Sequence, residues 1–492
     1  MMAGRPAVTT GSLRLLPDHR RVITKPFLPG EEVFSDGRSR VRVTLERILA
    51  IPDAEVEPLL AGLQDDFGGR HRDFEHVLES SFVRVAHHLD EGQVPSADRR
   101  RLIGAYFTHE FSIQAAAFCN PSVVPAPDQS GVRSGDLRFV MSARSVGEGH
   151  LSSIELRTGV LSPAGQVTID PVTPYASTGR RKPPMYDKAS FVSKLAEMDA
   201  DKTAVSRMLN PLPDAFSYDQ LVGSIDRHER QRLRGSAEAI RLIHWLASSN
   251  YIVVFDRKTE LNERVLFPTG PNESRGMEDA RFVRFVDDDG TVMYYATYTA
   301  FDGISVLPQS IETRDFLSFR VATLSGACVA NKGMALFPRR LNGRYAMLGR
   351  LDSENLYLML SDTVRHWDRA EKLELPTPPW ALIQRGNCGS PIETPDGWLV
   401  VTHGVGPMRR YSIGAMLLDL EDPRRVIGHL PEPILSADDD VRDGYVPNVV
   451  YSCGSLVHGD CLMLPYGFSD FGIAIATLSL REVLEVLREH RP

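Results

Sequence analysis

The sequence predicts a mainly β protein: a five-bladed β-propeller with an N-terminal helical domain and a helical insertion between the first two blades. The first observation behind this is repetition. Five times a short apolar strand runs to a polar tip and a second strand follows, in residues 139–159, 294–315, 345–367, 398–420 and 462–480. Units recurring every ~40–70 residues are what radially stacked sheets require, because one hairpin cannot bury its own apolar face. The second observation is a change of period. Residues 41 to about 118, and again about 184–250, abandon two-residue alternation for apolar spacings of three and four. The third is length: 492 residues exceed the ~250–300 that one compact core holds, so several domains or a repeat architecture are needed.

Taken in order, residues 1 to about 40 carry Pro, Gly and Arg without periodicity and read as an extended arm. Helical spacing begins with Val43, Leu45, Ile48 and Leu49 and continues through Val56, Leu59, Leu60 and Leu63 to Phe74, Val77, Leu78 and Phe82. Asp53 and Ser96 have the side chains of helix N-caps. Residues 1–118 therefore form an arm and a helical domain, and residues 119–485 the propeller. The insertion at about 184–250 holds helical runs over 190–199 and 227–249, whose Arg and Glu read as solvated faces, with His244 and Trp245 as packing residues. Directly after it, Glu278 and Asp279 stand two residues before Arg281 at the mouth of a strand (Phe282, Val283, Phe285) that turns at Asp289–Gly290 and returns through Val292–Thr299. The tips of the five units carry Arg144, Tyr298, Arg350, His403 and Tyr466, which a propeller would bring together in a central funnel. Two adjacent acids beside an arginine can hold one carboxylate ionised while its neighbour keeps a proton; equally, such a cluster can be a turn with a salt bridge.

Composition narrows the function classes. A formal net charge of −8 excludes a general nucleic-acid-binding surface, and no run approaches the ~18–20 apolar residues of a membrane span. Five scattered cysteines, odd in number and without metal-ligand spacing, fit reduced thiols and no structural metal. With no secretory signal pattern at the amino terminus, the expected location is the cytoplasm.

Gly276-Met277-Glu278-Asp279-Ala280-Arg281 followed by Tyr298-Thr299-Ala300-Phe301-Asp302-Gly303 resembles the signature of glycoside hydrolase family 130, the inverting β-mannoside phosphorylases and mannosidases. Further matches span roughly Asn120 to Thr477 and leave the N-terminal helices outside, as an oligomerisation or lid element. The resemblance implies that Asp279 is the acid, delivering its proton through the sugar's own 3-hydroxyl. The family's usual proline stands here as Ala280. It implies phosphate ligands at Lys332, before Ala335-Leu336-Phe337-Pro338, at Arg350, and at His403 in Thr402-His403-Gly404-Val405. The asparagine that often follows the first of these is Gly333 here, or is displaced to Asn331. A third family cation, a lysine, is lost from Gln384-Arg385-Gly386-Asn387, and Arg385 is its neighbour. Substrate contacts implied are Asn120, Arg144, His150, Glu278, Arg281, Tyr298, Asp302, Tyr411 and Asp470, the last in Tyr466-Gly467-Phe468-Ser469-Asp470.

The leading expectation is an inverting phosphorylase acting on a small manno-oligosaccharide, with inorganic phosphate as co-substrate and no cofactor or metal. An exo-β-mannosidase is the alternative. Water would then need a carboxylate base about 6.5–9.5 Å from the acid, for which Asp352, Glu354 and Glu393 are the candidates by position. A non-catalytic sugar-binding propeller is the third reading, against which retention of Asp279, Arg281 and Asp470 argues. Its partners would be sugar and phosphate, without nucleic acid or membrane, and with a homo-oligomer formed through the N-terminal helices.

Overall fold

The computed structural model describes residues 5–30, 33, 37–230, 236–437 and 442–491. They divide into two compact units, one of residues 18–115 with 172–177 and the other of the remainder.

The smaller unit contains helices α1 (Arg40–Leu49), α2 (Asp53–Phe67), α3 (Phe74–Val85) and α4 (Ala97–Tyr106). Their periodic apolar residues, among them Leu45, Ile48, Val56, Phe82, Leu102 and Ile103, make one core. Helices α3 and α4 approach so closely that a Cβ on Gly104 would lie 1.8 Å from the Leu78 carbonyl oxygen. Ser96 caps α4 by accepting from Arg99 N at 3.2 Å, as the sequence predicts. Asp53 does not cap α2. Pro52 takes that position, and Asp53 is the first helical residue, its carboxylate paired with Arg99.

The arm expected over residues 1–40 is not one element. Val22–Pro26 pairs antiparallel with Thr108–Ser112 in the smaller unit, whereas Thr9–Leu15 pairs antiparallel with Gly472–Ser479 in the larger one. The sequence hides this second strand because only Leu13 and Leu15 alternate inward, against the core containing Met463 and Ile475. Its backbone finds its partners almost the whole chain length away.

The larger unit is mainly β and consists of antiparallel meanders. The first meander is Ala117–Pro125, Leu137–Val146, Ser152–Leu161 and Val167–Ile169. The second is Gly276–Val286, Val292–Phe301, Val306–Thr313 and Ser318–Thr323, extended outward by Tyr251–Val254 and Arg180–Lys182. A single parallel pair, Gly276 with Ser152, joins these two. The third runs Ala335–Leu336, Tyr345–Gly349, Leu356–Ser361 and Ala370–Glu374, and the fourth Gln384–Asn387, Gly397–Val405, Tyr411–Leu418 and Val426–His429. The fifth contains Val450–Tyr451, Cys461–Phe468 and Gly472–Ser479, and is closed by Thr9–Leu15. The Asp289–Gly290 turn forms as expected, with Gly290 at φ 81°.

The insertion holds α5 (Lys188–Glu197), α6 (Lys202–Leu209), α7 (Tyr218–Arg230) and α8 (Ser236–Ser248). The helix expected across 227–249 includes residues 231–235, which lie outside the described residues. The insertion is more than a charged surface, because Phe191, Leu195, Phe216, Leu221, Ile243 and Leu246 bury a separate core. A terminal helix, α9 (Leu480–Glu489), was not anticipated. It lays Val483, Leu484 and Leu487 on the core shared by the fourth and fifth meanders. Among the described residues no helix is long and apolar enough to cross a membrane.

Candidate active site

Two matched irregularities start the site. The pairing register shifts between Cys119 and Ser122 on the first meander and between Glu278 and Arg281 on the second. The displaced residues Asn120 and Asp279 take left-handed backbone conformations, φ 51° and 55°. Bulges re-aim side chains out of the strand alternation. Here they turn the two residues toward each other, and Asn120 Nδ2 donates to Asp279 Oδ1 at 2.8 Å in a buried setting.

Cations surround this pair. Arg144 donates to Glu278 Oε1 at 2.7 Å and lies 3.9 Å from Asp279 Oδ1, while its Nε donates to Ser152. Lys332 Nζ reaches Glu278 Oε2 at 2.8 Å. Glu278 thus bridges the two cations and holds Lys332 beside the acid. Burial pushes the Asp279 carboxyl up, but Arg144, Arg281, Lys332 and the Asn120 hydrogen bond outweigh it, and the group titrates below its ordinary range. Asp470, on the turn between Cys461–Phe468 and Gly472–Ser479, behaves oppositely. Burial first, and then the Asp279 charge, push it up to about 6 against the pull of Arg144 and Arg409. Two carboxyls in one buried field are thus driven apart in proton affinity, with Asp279 ionised and Asp470 the more readily protonated of the two in the free chain.

Arg281 is fully buried, and its nitrogens are committed to protein: Nε to the Cys388 carbonyl at 3.1 Å, Nη1 to the Asp279 carbonyl at 2.9 Å and Nη2 to Tyr451 Oη at 2.7 Å. It ties the second meander to the fourth and fifth and fixes the Asp279 backbone, so the substrate contact expected of it gives way to positioning. Tyr298 also turns away. It is buried in the second meander's core, where its hydroxyl and that of Tyr251 donate to the two oxygens of Glu273 at 2.6 and 2.5 Å. Asp302 spends Oδ1 on the turn amides of Ile304 and Ser305. His150 pairs with Tyr445, Oη to Nδ1 at 2.9 Å with stacked rings.

Arg350, past the end of Tyr345–Gly349, is the other pole. It is 8% exposed, its Nε is buried without a hydrogen-bond partner, and it forms no ion pair among the described residues. Two glycines make its berth. A Cβ on Gly333 would stand 3.1 Å from Arg350 Nε, and one on Gly386 would stand 2.6 Å from Arg350 Cδ and 2.8 Å from His403 Cε1. His403 is fully buried, with Tyr411 and Tyr451 against its ring. Burial, then Arg350 and Arg281, hold it well below its usual range, so the imidazole is neutral. Asn331 is drawn off, its amide donating to the Leu351 carbonyl at 2.6 Å.

Arg385 does not join this group. Gly386 pairs with His403, and Arg385 with Gly404. Directly paired residues share a face and successive ones alternate, so Arg385 lies on the face opposite to His403. Its guanidinium sits 5.7 Å from the Trp380 ring centroid, and a Cβ on Gly404 would strike that same Trp380.

The candidate hydrolytic bases fare unevenly. Glu393 is held by Arg339 through two bonds of 2.8 and 2.9 Å. It pairs with Trp398, five residues from His403 and so about 16 Å along the strand. Asp352 accepts from Glu354 N, Asn355 N and Tyr357 Oη. Although burial raises it, these bonds hold its carboxyl far below the usual range, too weak for a base. Glu354 is exposed, and its carboxylate makes no hydrogen bond or ion pair among the described residues.

Tyr451, Tyr445 and Asn387 are residues that reading the sequence does not single out. Tyr451 sits in a two-residue strand and Tyr445 in a loop, neither with a pattern; Asn387, fully buried with Oδ1 unpartnered, carried a signal in being polar within a strand. Among the described residues no three His, Cys, Asp or Glu side chains are grouped to hold a metal ion.

Residues 236–489 match the family model of glycoside hydrolase family 130, described as beta-1,4-mannooligosaccharide phosphorylase. The chain is 35% identical over 231 residues to a 1,2-beta-oligomannan phosphorylase of Thermoanaerobacter sp. (strain X514), covering 45% of this chain and 75% of that protein. It is 29% identical over 273 residues to a beta-1,2-mannobiose phosphorylase of Listeria innocua serovar 6a, covering 53% and 75%. A solved structure of beta-1,2-mannobiose phosphorylase from Listeria innocua with beta-1,2-mannobiose superposes with a TM-score of 0.45 at 22% identity, over 77% of this chain and 94% of that one.

Proposed function

The chain belongs to glycoside hydrolase family 130, and from that premise we propose that it is an inverting glycoside phosphorylase. It cleaves a terminal β-mannosidic bond of a manno-oligosaccharide with inorganic phosphate and releases α-mannose 1-phosphate. The observation that carries phosphate over water is Arg350, a buried guanidinium whose Nε has no hydrogen-bond partner and which forms no ion pair among the described residues. Burying an unpaired charge is costly, and a dianion bound there would relieve the cost with charge-assisted hydrogen bonds.

In this reading Asp279, ionised in the free chain, takes up a proton when the phosphate dianion binds nearby and raises its proton affinity. It passes that proton to the leaving oxygen, with Asn120 holding one of its oxygens and Arg281 its backbone. Glu278 fixes Arg144 and Lys332 at the sugar, and Asp470 accepts from or donates to a sugar hydroxyl according to its protonation. Arg350 and Lys332 neutralise phosphate; neutral His403 contributes hydrogen bonding rather than charge. The five meanders are read as the five blades that bring these residues round one axis. The buried, unbridged state of all five cysteines fits a reducing cytoplasm, and the helices α1–α4 are assigned to assembly. Deleting residues 18–115 would then lower the solution mass by more than the deleted segment, and a monomer before and after would remove that assignment.

The deciding experiment is initial rate on β-1,2- and β-1,4-mannobiose against phosphate concentration, with mannose 1-phosphate assayed separately from free mannose. Free mannose from both halves, at a rate indifferent to phosphate, would establish the mannosidase. Glu354 is the residue that favours that second reading, since its carboxylate is uncommitted, and Glu354→Gln would then abolish turnover.

A further inference from the structure

A cavity of about 300 Å³ lies between the helical insertion and the outer part of the second meander. Arg320, on Ser318–Thr323, lines it. That strand is three places outward from Gly276–Val286, which carries Asp279, a lateral separation of about 14 Å. The cavity is therefore separate from the site described above.

Its wall carries three cations, Lys194, Arg320 and Arg365, against one carboxylate, Asp187, with Glu197, Glu312 and Asp368 beside them. Arg320 stands directly opposite Glu312 in the sheet, the position where a cross-strand ion pair would form. Glu312 is instead gripped by Arg365 through two bonds of 2.7 and 2.8 Å. The other acids are also engaged. Glu197 takes Lys194 and the Gly326 amide, Asp368 takes His366 and the Ala327 amide, and Asp187 caps α5 through Ser190. Two guanidiniums thus share one carboxylate. Among the described residues Arg320 is left with a single 3.2 Å bond to the Met185 carbonyl and a buried Nε without a partner. Burial and the Arg365 charge both press on its ionised form, the condition an anion relieves. Lys194, 16% exposed, has donors beyond the one used on Glu197.

The remaining wall is mixed: Tyr186, Phe191 and Leu246 give it an aromatic and apolar side, and Ser190, Asn250 and Thr323 a hydrogen-bonding one. A phosphoryl group has three acceptor oxygens for forked and multiple donors, more than a carboxylate offers. The volume is at the small end of ligand sites and fits a monosaccharide ring with its phosphoryl group. We propose that this cavity is a second ligand site, taking a phosphorylated molecule of monosaccharide size with its phosphoryl group on Arg320 and its ring against Tyr186 and Phe191.

Titration calorimetry of the full chain with inorganic phosphate, and then with mannose 1-phosphate, tests this. Two phosphate sites per chain are expected. Arg320→Gln weakens one of them at least ~10-fold, the scale of one lost charge-assisted bond, and leaves kcat and the phosphate KM for mannobiose unchanged. Arg350→Ala removes the other site. In Arg350→Ala, mannose 1-phosphate is expected to bind more tightly than inorganic phosphate; weaker binding overturns the assignment of the ring to the aromatic wall. One phosphate per chain, untouched by Arg320→Gln, overturns the site altogether. Two sites of which Arg320→Gln removes one and Arg350→Ala neither uphold it and refute the Arg350 assignment instead. Arg320→Lys guards against misfolding: retained partial affinity with a native melting transition supports the site, and loss of affinity only alongside loss of that transition counts against it.

Discussion

The two halves of the candidate site are built on opposite electrostatic plans. Around Asp279 charges are paired: Glu278 between Arg144 and Lys332, Asp279 under Asn120 and beside Arg144. Around Arg350 there is a buried cation without a counter-ion among the described residues, a neutral histidine, and two glycines that clear space. A paired half is preorganised before any ligand arrives, and its geometry survives without one. An unpaired half is stable only as far as the rest of the fold forces it, and it is completed by what binds. The difference teaches where the fold leaves a charge unpaired, and under the proposed function phosphate would pair with it, as part of the design as well as a reactant.

The largest effect should come from the paired half. Asp279→Asn keeps the shape and the Asn120 contact but supplies no proton, so turnover of mannobiose should fall ~10²–10⁴-fold in a folded protein. Its melting midpoint should be somewhat lower at neutral pH, because the ionised carboxylate that Arg144 and Lys332 favour is gone; near-normal turnover would show that the acid lies elsewhere. Arg350→Ala attacks the unpaired half. The apparent phosphate KM should rise at least ~10-fold, since one charge-assisted bond is worth about 1.5–3 kcal/mol. Because no counter-ion is orphaned, thermal stability should hold or rise. A marked loss of stability would mean that Arg350 is a structural cation after all.

Gly386→Ala probes the berth itself. The new methyl must displace Arg350 or His403, a cost of about 1–3 kcal/mol for overpacking, visible as a lower melting temperature together with a raised phosphate KM. A change in either alone would separate the glycine's packing role from its site role. Asp470 offers a titration. Its folded value near 6 lies above the ordinary 3.8, so the folded state binds the proton more tightly. That stabilisation is complete below about pH 3.8 and lost as pH rises through 6. Asp470→Asn, neutral throughout, should therefore be more stable than the parent at pH 7.5, by roughly 1–3 kcal/mol, with the gap closing by pH 4. A gap of constant size would refute the cause. The smallest effect is expected from Arg385→Met, which leaves the apolar stem against Trp380: the phosphate KM should change less than about twofold, because the guanidinium is on the far face of its strand. A tenfold rise would return it to the phosphate site.

Much of this molecule was legible in the chain. Alternation in 294–315 or 398–420, the Asp289–Gly290 turn and the Ser96 cap are written in neighbouring residues, since strand, turn and cap energetics depend on what lies within a few positions. The Glu278–Asp279 pair and Lys332, Arg350 and His403 were legible for the same reason, each sitting in a short motif at a strand end. What the sequence could not decide was direction and partnership. Tyr298 looks like a tip residue, and Arg385 like a phosphate ligand, until the fold gives the Tyr298 hydroxyl to Glu273 and sets Arg385 against Trp380. Thr9–Leu15 looks like an arm until Gly472–Ser479 offers an edge. Arg281 and Tyr451, 170 positions apart, form a bond that no local pattern encodes. Local chemistry depends on the order of residues along the chain. Whether a charge is buried, which neighbour neutralises it and which face it points from depend on contacts across the whole fold, and those the tertiary structure alone decided.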